Sequence, residues 1–149
     1  MIVRKAHSLD SEWILEQLKI FSSIYETKHE LFPKDIKEAS SKILQLIEQQ
    51  IVLIAETDSG EKAGFIAGVL SPHYFNQDLM TLCELFWWVE EKHRGSRAGL
   101  MLYNEFVKIG KDLADWIVVC LKFGSPVKEE FFLKRDFKKL DQSFLLEVI

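Results

Sequence analysis

Cysteine is scarce in this 149-residue sequence, with Cys83 and Cys120 the only two, each set in an apolar stretch. That excludes a disulfide framework and suggests two buried, reduced thiols. The cysteines and four histidines are too few and too scattered for a structural zinc set, so no metal is expected. Positive charge is not in excess either: 19 Lys and Arg stand against 23 Asp and Glu, for a net charge of −4. A protein that coats nucleic acid is normally basic, so nucleic acid is not expected as a partner. No apolar run is as long as a membrane span, and the start, Met1-Ile2-Val3-Arg4-Lys5, lacks the apolar core of a secretion signal. The expectation is a cytoplasmic protein with no membrane partner. No repeat or low-complexity linker divides the chain, which reads as one domain over residues 1–149. Tyrosine is the scarce aromatic, three residues (Tyr25, Tyr74, Tyr103) against 11 Phe and 4 Trp, and this limits where a phenolic acid could come from.

What is present is a regular alternation of apolar patterns. Val3–Ala6 reads as a short strand. Ser8 is placed to cap a helix over about Asp10–Phe21, in which Ile14, Leu18 and Phe21 recur at helical spacing. Ser22–Lys34 is polar and irregular. Pro33 and Lys34 open a second helix with the stripe Ile36, Ala39, Ile43, Leu46 and Ile47. Ile51–Ala55 is β-branched, Asp58-Ser59-Gly60 is a turn, and Ala63–Leu70 is a second run, so the two predict an antiparallel hairpin. Leu79–Val89 is almost continuously apolar and reads as a central strand. After a charged loop, Ala98–Leu113 reads as a long helix with Leu100, Tyr103, Val107 and Gly110 facing inward. Trp116–Leu121 is expected as a buried strand, Val127–Lys134 as a short helix, and Ser143–Val148 as a last strand. The order β-α-α-β-β-β-α-β-α-β, with a parallel crossover around the long helix, gives an α/β (α+β) sandwich on a mixed sheet.

The informative segment is Glu84-Leu85-Phe86-Trp87-Trp88-Val89 followed by Glu90-Glu91-Lys92-His93-Arg94-Gly95-Ser96-Arg97-Ala98-Gly99-Leu100. It runs strand, glycine-bearing loop, helix. Unpaired amides and partial positive charge at a helix start attract phosphate, and Arg94 and Arg97 add cations. Neither a G-x-G-x-x-G fingerprint nor a G-x-x-x-x-G-K-[ST] loop occurs, so this is not a dinucleotide or nucleoside-triphosphate site of those kinds.

Arg94-Gly95-Ser96-Arg97-Ala98-Gly99, within the wider phrase from Val89 to Leu102, resembles the Arg/Gln-x-x-Gly-x-Gly/Ala pattern of the GNAT acyltransferase superfamily. In phrasing it is similar to small phage-type and bacterial acetyltransferases. The element order is that superfamily's order, and Gly64-Phe65-Ile66-Ala67-Gly68 is similar to its third strand. The resemblance implies an N-acetyltransferase that uses acetyl-CoA as cosubstrate. It implies that Arg94, Gly95, Ser96, Arg97, Ala98, Gly99 and Leu100 hold the coenzyme A pyrophosphate, with Trp87, Trp88, Val89 and Phe132 along the rest of the coenzyme. Two departures stand out. Arg97 occupies a position that is usually glycine, and Phe132-Leu133-Lys134-Arg135-Asp136-Phe137 replaces Tyr-x-Lys-x-Gly-Phe, so Phe132 has no proton to give the leaving thiolate.

Glu84 is the only acid inside its apolar strand, and strict alternation puts it on one face with Leu82, Phe86 and Trp88. Burial there raises a carboxyl pKa toward that of a general base, a role the resemblance also implies; a buried ion pair or a clamp on a loop amide is the structural reading. Lys92 reads either as a phosphate ligand or a solvated charge, His93 as loop packing, and Tyr103 and Cys120 as core. His29, His73, Tyr25 and Tyr74 lie in loops on the acceptor side; either tyrosine could supply the missing acid, and otherwise the thiolate departs with water as its proton source. With Glu26 and Glu30, the Ser22–Lys34 loop suits a cationic amine. A small-molecule or peptide amine is the expected partner, and homodimers are common among the proteins resembled. The alternative is a catalytically weak or inactive coenzyme A-binding regulatory protein of the same fold.

Overall fold

The computed structural model describes residues 1–25 and 27–148; Glu26, one of the acids expected in the acceptor loop, and Ile149 lie outside the described residues. Five strands, β1 (Ile2–Lys5), β2 (Ile51–Glu56), β3 (Lys62–Pro72), β4 (Met80–Val89) and β5 (Trp116–Val118), form one sheet in the order β1-β2-β3-β4-β5. The first four pair antiparallel, and β4 with β5 is parallel. Helices α1 (Ser11–Ser22) and α2 (Ile36–Gln49) precede β2, α3 (Ala98–Leu113) joins β4 to β5, and α4 (Glu129–Leu133) follows. No described helix is long and apolar enough to cross a membrane.

Strand alternation builds two cores. On one face Val52, Ile54, Phe65, Ala67 and Trp88 meet Ile14, Leu18 and Phe21 of α1 and Ala39 and Ile43 of α2. On the other, Leu53, Ala55, Ile66 and Leu82 meet Ala98, Leu102 and Phe106 of α3. The glycines of β3 and α3 permit this closeness. A methyl on Gly68 would lie 2.6 Å from the Phe106 ring, and one on Gly110 would lie 2.7 Å from Ile117. At the start of α1 the fully buried Asp10 carboxylate accepts from both terminal nitrogens of Arg4 (2.8 and 3.0 Å) and from the His7 amide (2.9 Å). The Arg4 and His7 bonds and charges outweigh burial and hold the Asp10 carboxyl below its ordinary value.

Several expectations are corrected. Ser8 does not cap α1; it sits in a 3₁₀ turn (Ser8–Asp10), and Asp10 holds the N-cap position with its carboxylate turned to Arg4. Asp35, not Pro33 or Lys34, starts α2, its side chain accepting from the Lys37 amide at 2.8 Å. Ile36 is exposed, so the α2 stripe is narrower than the pattern implied. On α3 the inward residues are Ala98, Leu102, Tyr103, Phe106 and Gly110, while Leu100 is exposed. β5 is a short edge strand whose Trp116 is half exposed, and Cys120 beyond it is exposed rather than core. α4 spans only five residues. Ser143–Val148 forms no strand: Phe144, Leu145, Leu146 and Val148 are exposed, and the segment is tied down through Glu147, whose Oε1 accepts from the amides of Lys28 (2.6 Å) and His29 (3.0 Å).

Candidate functional site

β4 and β5 pair only from Thr81–Trp116 to Cys83–Val118 and then separate, leaving a fork. The fork begins at a β-bulge. Ala67 pairs with Phe86 but Gly68 pairs with Glu84, so Leu85 is an extra residue on β4. The bulge overturns the expected common face for Glu84, Leu82, Phe86 and Trp88. An added residue inverts the alternation, so Leu82 packs on the α3 side while Phe86 and Trp88 pack on the α1–α2 side, and Trp87 and Val89 turn toward α3.

Glu84 lies at this point, 4% exposed. Its carboxylate reaches across the fork, where Oε2 accepts from the Cys120 amide at 3.0 Å and Oε1 lies 3.4 Å from Lys122 Nζ. Burial raises the Glu84 pKa, and the Lys122 charge and the Cys120 amide only partly oppose it. Glu84 therefore combines the clamp, the ion pair and a perturbed carboxyl in one place. Tyr25, packed on Phe21, faces the same charge; burial first, then the negative charge of Glu84, pushes its phenol up. Cys120 is exposed as a residue, but partial burial of its thiol and then the negative charge of Glu84 push that thiol up.

Beyond the fork, the Glu90 amide donates to the Ala63 carbonyl on β3 at 2.9 Å. By alternation the main-chain groups of Trp87 and Val89 point away from β3, and Arg94 Nε donates to the Val89 carbonyl at 3.3 Å. The chain then passes a 3₁₀ turn (Glu91–His93) and enters α3 through Gly95, whose φ of +83° suits only glycine well. Ser96 Oγ accepts from the Ala98 amide at 3.2 Å, and the Arg97 carbonyl accepts from Met101. Among the described residues the amides of Gly99 and Leu100 have no such partner, and the first turn of α3 holds no acid. A Cβ on Gly99 would make only ordinary contacts, the nearest at 3.5 Å to Val89, so packing does not require glycine there. A missing side chain beside free amides fits the approach of an anion.

The other sequence-chosen residues fall into place around this turn. The Arg94 guanidinium lies 4.7 Å over the Trp88 ring, and Trp88 Nε1 donates to Gln17 of α1 at 2.9 Å, so the Trp88 side chain serves the core on the far face. Arg97 is exposed. Lys92 pairs with Glu61 and, at 3.8 Å, with Glu90, which favours its reading as a surface charge. His93 is largely buried against Glu61, 3.5 Å away. The Trp87 ring stacks on Tyr103 of α3, with centroids 5.6 Å apart, and Phe131 and Phe132 of α4 close over the pair. Phe132, expected along the coenzyme, lies within an aromatic cluster against Trp87 of β4. Tyr103 belongs to the same cluster as core. Among the described residues an open concavity of about 350 Å³ lies along α3 beside Tyr103, and one of about 420 Å³ lies under the α1–α2 loop, lined in part by Tyr25, Thr27 and His29. Lys122 and the Cys120 amide were not anticipated, and nothing local in Cys120-Leu121-Lys122 points to a glutamate 38 residues away.

No protein-family profile and no curated protein sequence matches the chain. Solved structures do. A ribosomal-protein-alanine N-acetyltransferase from Brucella melitensis biovar Abortus 2308 superposes with a TM-score of 0.72 at 13% identity, covering 99% of this chain and 100% of that one. An acetyltransferase from Trypanosoma brucei gives 0.72 at 15% identity and 99% of each chain. An aminoglycoside acetyltransferase from an uncultured soil metagenomic sample gives 0.70 at 11% identity, over 99% of this chain and 95% of that one. Identities this low establish the fold alone: a mixed five-stranded sheet with flanking helices, of the GNAT acetyltransferase type.

Proposed function

We propose that the protein is an N-acetyltransferase that moves the acetyl group of acetyl-CoA to an amine by direct attack within a ternary complex. The observation that carries this reading is the conjunction, on an acetyltransferase fold, of free amides at Gly99 and Leu100, flanking Arg94 and Arg97, and a buried carboxylate spanning the β4–β5 fork. The start of α3 would hold the diphosphate, and the outward main-chain groups of Trp87 and Val89 would line the arm that leads to the thioester. Amide donors already aimed at the fork favour developing charge on a carbonyl oxygen without reorganisation. Glu84, which burial makes more basic than an ordinary carboxylate, would take a proton from the acceptor ammonium. A small-molecule or peptide amine would enter from the side of the α1–α2 loop, between Tyr25 and the Glu147-anchored segment. Holding both reactants in line supplies much of the rate.

Two measurements test this. Acetyl-CoA should raise the melting temperature as its concentration passes the dissociation constant, with a stabilisation of about 2.7 kcal/mol at a hundredfold excess over that constant. A thiol-release screen over polyamines, amino acids, aminoglycosides and peptide N-termini should then find an acceptor. No melting shift at millimolar acetyl-CoA overturns the reading. Binding without thiol release from any amine would favour a coenzyme A-binding regulator.

A further inference from the structure

Phe132 leaves the departing thiolate without a phenol; Tyr103 is stacked into the aromatic cluster and Tyr74 is 85% exposed, so Tyr25, packed on Phe21 and facing Glu84, is the one phenol of the three that lies near the fork. The fork holds a different acid. The Lys122 ammonium is 3.4 Å from Glu84 Oε1, lies 5.9 Å over the Phe21 ring and has a quarter of its side chain in solvent. The groups that face this pair are Glu84 itself, the Tyr25 phenol from the α1–α2 loop and the Cys120 thiol, with Asp141 of the C-terminal segment behind Cys120.

Resting on the acetyltransferase reading, we propose that Lys122 is the proton donor to the leaving thiolate, recharged by Glu84 across the ion pair that joins them. The protons balance. Glu84 takes one proton from the acceptor ammonium, and the free amine attacks the thioester carbon. The C–N bond forms, the C–S bond breaks, and its electron pair leaves with sulfur. Lys122 protonates that sulfur and regains a proton from the neutral Glu84. The restored Glu84 carboxylate takes the second proton from the amide nitrogen and releases it to water. The sequence has an electrostatic logic: neutralising Glu84 strips Lys122 of its counter-charge just as negative charge appears on sulfur, so the ammonium and the thiolate are drawn together at that moment.

Two variants test the assignment, and both are first checked for folding and for a melting shift with coenzyme A. Coenzyme A bound to the wild-type protein should show a thiol that ionises about one unit lower in pH than coenzyme A bound to Lys122→Met, read by thiolate ultraviolet absorbance. Lys122→Arg keeps the charge and the Glu84 pair but cannot give up a proton at any working pH, so thiol release from acetyl-CoA should fall by about 100-fold with binding intact. Equal thiol titrations in wild type and Lys122→Met, or thiol release in Lys122→Arg within a few-fold of wild type, overturn the proposal and leave the acetyltransferase reading standing. Absence of any coenzyme A shift in the wild type fells the reading itself, and this proposal with it.

Discussion

Replacing Glu84 by glutamine removes the negative charge from the fork while preserving an oxygen for the Cys120 amide, now 3.0 Å from Oε2. Loss of a positioned base costs about 100- to 10,000-fold in turnover. Stability should respond far less. Because burial raises the folded-state pKa of Glu84, its ionisation at neutral pH costs the folded state some stability, present as pH rises above the unfolded value, and glutamine removes that cost. Against this, Lys122 loses its partner. A fully buried orphaned charge would cost about 3–5 kcal/mol, but Lys122 is a quarter exposed and can hydrate, so the net change should stay within about 1 kcal/mol, roughly 3 °C in melting temperature. The assay is thiol release from acetyl-CoA across pH, with acetyl-CoA melting shifts as the binding control. Wild-type turnover should rise with pH through a limb lying above the ordinary glutamate value of about 4.3, and Glu84→Gln should lack that limb. Turnover within about threefold of wild type at every pH would refute the base assignment and leave Glu84 as a clamp between strands.

Asp10→Asn breaks a buried pair but leaves Arg4 on Glu56 at 2.8 Å and a quarter exposed, so the loss should fall at the lower end, about 3 kcal/mol, in urea unfolding followed by circular dichroism. Since the Asp10 carboxyl is depressed in the folded state, its contribution is present above the unfolded value of about 3.9 and lost as pH falls through the folded one; the wild type should therefore lose more stability on acidification than Asp10→Asn does. Gly68→Ala drives a methyl to 2.6 Å from the Phe106 ring and 3.0 Å from the Cys83 carbonyl, and should cost about 2 kcal/mol by the same assay. Arg97→Glu, at an exposed position, should shift stability by less than about 0.5 kcal/mol yet weaken acetyl-CoA at least about tenfold in a titration, because it places an acid beside the free amides of α3.

Strands β2, β3 and β4 and helix α3 were legible within a residue or two, because long apolar runs bounded by Gly60, the 73–79 loop and the Arg94–Arg97 turn leave little choice of element. Face assignments were less so. A run as uniformly apolar as Leu82–Val89 carries no period, so nothing in it marks Leu85 as the extra residue, and Trp87 and Trp88 exchange the faces that plain alternation gives them. On α3 the helical spacing was set one step out of phase, taking Leu100 as inward where Leu102 is the residue that meets the sheet. Ser143–Val148 has a strand's composition but pairs with neither edge of the sheet; its fixed point is instead a side chain, Glu147, on two loop amides. At the candidate site, Glu84 and the Arg94–Gly99 turn stood out because a lone acid in an apolar strand and a cationic glycine turn are local signals. Lys122 did not, because its meaning depends wholly on how the parallel strands diverge.

The most direct measurement is a crystal structure of the protein with coenzyme A. Diphosphate oxygens within about 3 Å of the Gly99 and Leu100 amides, with the sulfur in the fork beside Glu84, is the result expected. Coenzyme A seated under the α1–α2 loop instead, with the Trp87 and Phe132 rings still filling the space between α3 and α4, would contradict the account at its root.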